Sequence, residues 1–407
     1  MSATAARRAA FATVLRVFEQ DAYADRAFVT AARGLDPRDR ALAQRIAYGT
    51  VQRVRTLDYG IETLGRRPVS KLDAQVRAAL RIGAYQVGYL DVADHAAVNE
   101  SVELVRAAGL ERAVAFTNAV MRRLTEGLAG LLWTLPEEAP AKAALKHSYP
   151  DWIAESWWRE LGQDGARALM QAQNEPPETV VRLIRGEIDG EPTEILGAYR
   201  VARVDERALE EGRIWPQSRA SQLAALAVGA KAGERILDSC AAPGGKATML
   251  AGEVTAVEIH PGRARELEEN VRRLAASSVR VVNADATDLP PELTGFDGAL
   301  VDAPCSGLGV LAARPDLRWR ARPLPELQLA LLRAAADRVR PDGTIVYAVC
   351  TINAAENEGV VDASGLEPDA TLADEWPQFA HPRRPEFLLT LPHVHGTSGF
   401  FIARLRR

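Results

Sequence analysis

The chain has three cysteines, and each sits in a short run that reads like a motif: Leu237-Asp238-Ser239-Cys240-Ala241-Ala242-Pro243-Gly244-Gly245-Lys246, Val301-Asp302-Ala303-Pro304-Cys305-Ser306-Gly307 and Tyr347-Ala348-Val349-Cys350-Thr351-Ile352. Every run follows an apolar, strand-like stretch. A cysteine used for packing lies among core hydrophobes, whereas these fall where an α/β sheet opens its ligand crevice. The chemistry this suggests is that of a thiolate nucleophile, with Asp302 three residues before Cys305 to hold charge on the attacked group. Two thiols, Cys305 and Cys350, compete for the role, and spacing alone leaves the choice open.

The run from Asp238 to Lys246 is a glycine loop of small residues, which lets backbone approach a ligand. It lacks the Gly-x4-Gly-Lys-Ser/Thr spacing of a phosphate-binding loop and the dinucleotide Gly-x-Gly-x-x-Gly. The loop is expected to open a helix over 246 to 251, whose first N–H groups would face a carboxylate or phosphate. Glu258, 13 residues beyond Gly245 at the end of the next apolar run, is placed to grip ribose hydroxyls, and Asp285 after the third run is placed near an adenine amino group. The loop residues Cys240, Ala241, Ala242, Pro243, Gly244, Gly245 and Lys246, with Glu258 and Asp285, together suit S-adenosylmethionine. A methyl donor beside a thiol and an acid matches one demanding reaction, methylation of cytosine at C5. There a soft nucleophile adds at C6, C5 becomes carbanion-like, and an acid at N3 and the exocyclic amine holds the negative charge.

These side chains need a sheet to position them. Runs at 235 to 238, 253 to 258, 279 to 283, 298 to 302 and 343 to 347 read as short strands, with helical periodicity at 261 to 276 and 325 to 340 between them. That alternation predicts an α/β doubly wound, Rossmann-like domain over 215 to 407. Residues 1 to 125 read as helices throughout, with Asp36-Pro37-Arg38-Asp39 as a helix start, and predict an all-α bundle. Gly127, Gly130, Pro136 and Pro140 mark 126 to 150 as a linker, and 151 to 214 reads as a small α+β segment. Trp152, Trp157 and Trp158 are expected to be hydrophobic anchors of a helix.

The net charge of −4 is unevenly spread: residues 1 to 124 carry 19 Lys+Arg against 13 Asp+Glu, and the remainder 31 against 41. A basic helical front on an acidic body suits a protein that meets phosphates with one module and performs chemistry with the other. No apolar run approaches the ~20 residues of a membrane span, and the first thirty residues lack a signal-peptide pattern, so a cytoplasmic protein with no membrane partner is expected. An odd number of cysteines without zinc-ligand spacing argues for reduced thiols and no metal.

Residues 215 to 407 resemble the bacterial ribosomal RNA cytosine-5 methyltransferases of the RsmB/Sun group and the wider RsmB/NOP family. The resemblance is carried by Cys-Ala-Ala-Pro-Gly-Gly-Lys (240 to 246), Asp-Ala-Pro-Cys-Ser-Gly (302 to 307), Arg-Pro-Asp-Leu-Arg-Trp (314 to 319) and Ser-Gly-Phe-Phe-Ile-Ala-Arg (398 to 404). Arg-Asp-Arg-Ala-Leu-Ala (38 to 43), Tyr-Gly-Thr-Val (48 to 51), Leu-Arg-Ile-Gly-Ala-Tyr-Gln (80 to 86) and Asn-Ala-Val-Met-Arg-Arg-Leu (118 to 124) are similar to the NusB-like RNA-binding domain of the same group.

The resemblance implies an enzyme acting on a cytosine of 16S rRNA; the target base must leave any stack to reach Cys350, which favours unpaired RNA, and a monomer is expected. It implies that the 240 to 246 loop binds the methionine end of S-adenosylmethionine, Glu258 its ribose and Asp285 its adenine side. Asp302 then meets the cofactor and the target base, Cys350 is the C6 nucleophile, and Cys305 assists product release. The pattern departs from the family at Ser239, Ala247, Glu258 and Val349, none of which removes a reacting group.

Other polar residues carry weaker signals. Arg182 and Arg185 read as a solvated strand edge rather than an RNA contact, Arg263 and Arg272 as surface arginines, His95 and Asn99 as helix-start residues, and His393 and His395 as polar loop residues. Two rival functions keep part of the pattern. A non-catalytic RNA-binding or antitermination protein would leave Asp302, Cys305 and Cys350 without a task, and a DNA or transfer-RNA cytosine methyltransferase would keep the chemistry and change the substrate.

Overall fold

The computed structural model describes residues 3–407, which form two compact units. One comprises the described residues up to Asn174 with Leu311–Arg320, the other Glu175–Val310 with Ala321–Arg407.

The first unit is all helical. Its helices are α1 (Ala5–Glu19), α2 (Ala24–Ala31), α3 (Pro37–Gly65), α4 (Ala74–Tyr89), α5 (Asp94–Ala107), α6 (Glu111–Trp133), α7 (Pro140–His147) and α8 (Asp151–Ala172). Helix α3 starts where the sequence places it: the Asp36 carboxylate accepts from the N–H groups of Arg38 and Asp39, each at 2.9 Å, and Pro37 occupies the first turn, where no N–H is needed. Leu57 and Ile61 of α3, Leu80 and Ile82 of α4, and Leu124 and Leu128 of α6 are buried in one apolar cluster. Each such side chain contributes about 1.5–3 kcal/mol by leaving water. Trp157 is fully buried, edge-on to Tyr149 with ring centroids 5.3 Å apart, in keeping with an anchor, whereas Trp152 is 39% exposed and does not anchor its helix, and Trp158 is only half-buried.

Contact groups the chain differently from the sequence boundaries at 125, 150 and 214. The glycines and prolines of 126 to 150 do not open a linker, because α6 runs through Gly127 and Gly130 to Trp133 and Pro140 starts α7. The segment 314 to 319 belongs with the helices. It ends in a short helix, α12 (Leu317–Arg320). The Arg318 guanidinium there donates to the carbonyls of Gln52 and Ser148 and to Asn174 Oδ1, at 3.0–3.1 Å, and lies 4.1 Å from the Tyr149 ring centroid. Trp319 Nε1 donates to the Val51 carbonyl at 2.6 Å.

The second unit opens with a small antiparallel sheet of β1 (Val180–Leu183), β2 (Glu191–Pro192), β3 (Ala198–Arg200) and β4 (Ile214–Pro216), in the order β2-β3-β1-β4. The short helices α9 (Glu206–Glu210) and α10 (Arg219–Leu226) lead to the main sheet. Its strands are β5 (Arg235–Asp238), β6 (Glu253–Glu258), β7 (Val279–Asn283), β8 (Phe296–Asp302), β9 (Val339–Val349), β10 (Glu367–Pro368), β11 (Leu388–Thr390) and β12 (Phe400–Arg406). The order is β10-β12-β9-β8-β5-β6-β7, with β11 on β12. Strands β5 to β9 are parallel, and β12 runs antiparallel to β9. Helices α11 (Pro261–Arg273) and α13 (Pro325–Arg338) are the crossovers the sequence places there. The order turns at β5, so the crevice lies over the carboxyl ends of β5, β6 and β8.

The helix expected over 246 to 251 is absent; only a single 3-10 turn, Ala247–Met249, follows the glycine loop. Six residues separate Lys246 from β6, and Gly252, at φ +86 where a Cβ would lie 2.3 Å from the Glu234 carbonyl oxygen, turns the chain straight into that strand.

Candidate active site

Parallel pairing aligns the strand ends that carry the polar residues. Asp238 of β5 lies opposite Leu300 of β8 and Ala256 of β6, Asp302 opposite Ala348 of β9, and Glu258 opposite Asn283. Lys246, at the end of the glycine loop, donates from Nζ to Asp302 Oδ2 at 2.7 Å, and its ammonium lies 5.2 Å from the Phe400 ring centroid. Cys305 Sγ and Cys350 Sγ are 3.4 Å apart. The structure thus brings the two late cysteine runs together and joins the glycine loop to the Asp302 run.

The loop after β8 is held close to the loop after β9 by backbone. Gly309 N–H donates to the Cys350 carbonyl at 3.0 Å, and Gly399 N–H donates to the Gly309 carbonyl at 2.8 Å. A Cβ on Gly309 would lie 1.9 Å from the Gly399 carbonyl oxygen, so this crossing admits only glycine. Ser306 Oγ and Thr351 Oγ1 share a 2.7 Å hydrogen bond between the same loops.

The thiols differ in their electrostatics. Cys350 is lowered below the ordinary thiol value, first by its hydrogen bond from Cys305 and then, against burial and the Asp302 charge, by the Lys246 ammonium. Cys305 is raised well above it by the bond to Cys350, by burial and by the negative charges of Cys350 and Glu356. Cys350 is therefore the sulfur that deprotonates first, and Cys305 the one that keeps its proton. Cys240 is raised by burial and by Asp238 and its neighbouring acids, which leaves it an unreactive thiol. Burial opposes the Lys246 charge, yet Asp302 holds the ammonium's value above that of a free lysine.

Acids at the ends of β5 and β6 flank a loop whose glycines have no room for side chains. A Cβ on Gly244 would lie 2.7 Å from Leu267 Cδ1, and one on Gly245 2.6 Å from Trp215 Nε1. Asp238 is buried, accepts weakly from Cys240 N–H at 3.4 Å through Oδ1, and leaves Oδ2 without a hydrogen bond; burial and the Asp302 charge push it up to about 7. Glu258 is buried and accepts from His260 N–H at 2.9 Å, with Arg263 Nη1 3.4 Å from its other oxygen. Asp285 is exposed: its carboxylate accepts from the Thr287 N–H and hydroxyl at 2.8 and 2.7 Å, which lowers it.

Several supporting residues escape a reading of sequence. Arg182 is not a solvated edge residue. It is 6% exposed, and its guanidinium donates to the Gly245 carbonyl at 3.1 Å and to Thr248 Oγ1 at 2.8 Å, bracing the glycine loop from β1. Burial brings it down to about 10, still cationic at neutral pH. Arg263 and Asn270 of α11 donate to the Ala242 and Pro243 carbonyls at 2.8 and 2.9 Å, so Arg263 ties Glu258 to the loop rather than standing free at the surface. An arginine within the apolar run Val180-Val181-Arg182-Leu183 is the one local signal that pointed this way. His395 is structural: Nδ1 accepts from Leu391 N–H at 2.8 Å and Nε2 meets the Gln378 carbonyl at 3.1 Å. Among the described residues no helix is long and apolar enough to cross a membrane.

Comparison with known proteins agrees with this architecture. Residues 225–406 match the family model of the 16S rRNA methyltransferase RsmB/F, and residues 4–126 that of the NusB family. The chain is 30% identical over 450 residues to the probable ribosomal RNA small subunit methyltransferase B of Bacillus subtilis, with 100% of each covered. It is 36% identical over 384 residues to ribosomal RNA small subunit methyltransferase B of Thermus thermophilus, covering 91% of this chain and 89% of that one. The crystal structure of PH0851, 22% identical, superposes with a TM-score of 0.81 over 100% of both chains. NSun6 from Pyrococcus horikoshii, solved with the S-adenosylmethionine analogue SFG and 24% identical, superposes at 0.56 over 64% of this chain and 98% of its own. The chain belongs to the 16S rRNA methyltransferase RsmB/F family and is an S-adenosylmethionine-dependent ribosomal RNA methyltransferase with a NusB-like helical domain in front of its catalytic sheet.

Proposed function

We propose that the enzyme methylates C5 of an unpaired cytosine in 16S rRNA, acting as a cytoplasmic monomer. The observation that carries this reading is the thiol pair, Cys305 and Cys350 with sulfurs 3.4 Å apart, beside the Lys246–Asp302 ion pair. Two thiols of opposite protonation preference suit a reaction that needs a nucleophile at the start and a second sulfur at the end.

The residues fit the cofactor. Asp238 holds a buried oxygen without a hydrogen bond beside the glycine loop from Cys240 to Lys246, and Glu258 supplies a buried carboxylate for ribose hydroxyls. Asp285 would meet the adenine side from its exposed turn. Bound there, S-adenosylmethionine supplies an electrophilic methyl group.

The Cys350 thiolate adds to C6 of the cytosine, forming a C–S bond and pushing the ring electrons toward C5 and N3. Asp302, which gives Oδ2 to Lys246, uses its remaining acceptor positions to hold the exocyclic amine edge, and the Lys246 ammonium beside it offsets the negative charge that develops on the ring. C5 takes the methyl group, leaving the donor's sulfonium as a neutral thioether; the C5 proton then passes to solvent water, and the returning electron pair re-forms the C5–C6 double bond and expels Cys350 as a thiolate while the C–S bond breaks. Cys305, protonated and in hydrogen-bond contact, assists that release. The base must leave any stack to reach a thiol over the strand ends, which favours unpaired RNA.

The test is mass spectrometry of protein incubated with S-adenosylmethionine and unmodified 16S rRNA, comparing wild type, Cys350→Ala and Cys305→Ala. The reading expects 5-methylcytosine from wild type and a lasting RNA adduct in Cys305→Ala that Cys350→Ala cannot form. No 5-methylcytosine and no adduct in any variant would end it.

A further inference from the structure

Glu356 is wholly buried in the catalytic unit, on the chain that follows the Cys350 loop. Among the described residues no cation pairs with it. Five hydrogen bonds converge on its carboxylate instead. Oε1 accepts from Ser306 N–H at 2.9 Å, Leu324 N–H at 3.1 Å and Gln328 Nε2 at 2.9 Å, while Oε2 accepts from Asn353 Nδ2 at 3.1 Å and from Ser306 Oγ. Its own backbone carbonyl accepts from the buried Tyr347 hydroxyl of β9 at 2.6 Å.

The donors come from three segments: the loop after β8 that holds Cys305, the start of α13, and the loop after β9 that holds Cys350. A carboxylate is a costly filler for a buried gap, since taking it out of water costs several kcal/mol unless donors replace the water. What it does that an apolar side chain cannot is accept from all three segments at once. Ser306, the residue after Cys305, gives it both N–H and hydroxyl, and the same hydroxyl oxygen meets Thr351, the residue after Cys350.

We propose that Glu356 is the positioning residue that locks the Cys305 loop onto the Cys350 loop and so keeps the second thiol within reach of the first when product is released. This rests on the two-thiol reading of the reaction. Glu356 touches neither sulfur; it acts through Ser306 and Asn353. Its charge also weighs against ionisation of Cys305, after the hydrogen bond to Cys350, burial and the charge of Cys350, and helps keep that thiol protonated.

The experiment uses full-length Glu356→Gln, in which an amide N–H₂ replaces the oxygen facing Asn353 Nδ2 and Ser306 Oγ. Hydrogen–deuterium exchange is read on the peptides containing Ser306 and Leu324, alongside kcat, KM for RNA and the yield of covalent adduct. The proposal expects faster exchange at Ser306 and Leu324 and unchanged exchange over 240 to 250. It also expects kcat lowered at least about tenfold with KM within about threefold, and adduct accumulating as in Cys305→Ala. Unchanged exchange at Ser306 overturns it, and so does faster exchange with wild-type kcat and no adduct, which would make Glu356 a packing residue only. If Glu356→Gln does not fold, Ser306→Ala removes two of the hydroxyl's contacts and is read the same way. If wild type makes no 5-methylcytosine, the two-thiol reading falls, while the exchange data still decide whether Glu356 fixes the loop.

Discussion

Lys246 Nζ and Asp302 Oδ2 are 2.7 Å apart, linking the loop after β5 to the end of β8 with one ammonium that also lowers Cys350. The group that closes the glycine loop therefore also favours the Cys350 thiolate. Lys246→Met is expected to raise the Cys350 thiol, so that less thiolate is present at neutral pH, and to cut methyl transfer by about a hundredfold. Following iodoacetamide labelling of Cys350 against pH checks this: the midpoint should move to higher pH, and an unmoved midpoint would separate Lys246 from the thiol.

Asp238 carries a pH signature in stability. Its folded value is pushed up to about 7, first by burial and then by Asp302, whereas the unfolded chain ionises it near the ordinary 3.8. The folded state binds the proton more tightly, so this group's contribution is full below about pH 4 and is lost as pH rises toward 7, by roughly a few kcal/mol. Asp238→Asn keeps an acceptor for Cys240 N–H and removes the ionisation. Its melting temperature is expected to exceed that of wild type at pH 8 by several degrees and to match it at pH 4, measured by calorimetry.

Arg182 braces Gly245 and Thr248 from below, and its loss should register in cofactor binding. Arg182→Met is expected to weaken S-adenosylmethionine about tenfold by titration calorimetry, because two charge-assisted hydrogen bonds to the loop disappear. The salt dependence of RNA binding should stay as in wild type. A shallower salt slope with unchanged cofactor affinity would place this arginine on phosphate instead.

The Gly309–Gly399 crossing has no slack. A methyl group on Gly309 meets backbone rather than a movable side chain, so Gly309→Ala must push the loop after β8 away from β12. We expect a melting temperature lowered by several degrees and Cys350 labelling altered with it, whereas Gly262→Ala, with nothing within 4 Å of the new Cβ, should leave both unchanged.

The parts of the site that follow strand geometry are legible in the sequence. Asp238, Glu258, Asp302 and Cys350 all fall at carboxyl ends of strands, and parallel pairing makes such ends neighbours whatever the intervening lengths. The helix start at Asp36 is equally plain, since the cap and the proline are local chemistry. What sequence does not reveal is reach across the fold. Arg182 finds Gly245 63 residues away, and Glu356 finds Ser306 50 residues away, and no spacing rule encodes either. The missing helix after Lys246 fails for a different reason: only six residues remain before β6, too few to sustain a helix, and among them Thr248 is a poor helix former and Gly252 turns the chain at φ +86. The mismatch at 126 to 150 arises because two glycines cost α6 only about 1 kcal/mol each, too little to end a helix packed along one face.

The helical unit is assembled from two stretches that lie far apart in the gene. Val51, Gln52, Ser148, Tyr149 and Asn174 form a socket whose plug, Arg318 and Trp319, is translated more than 140 codons after Asn174. A nascent chain can build α1 to α8 as they emerge, yet it carries open carbonyls at that socket until the ribosome has passed the middle of the catalytic sheet. A fragment ending at Asn174 is accordingly not a finished domain. Completion of the front module is timed by synthesis of the back one, and a chain broken off before residue 318 would advertise its incompleteness in an unfilled, polar notch.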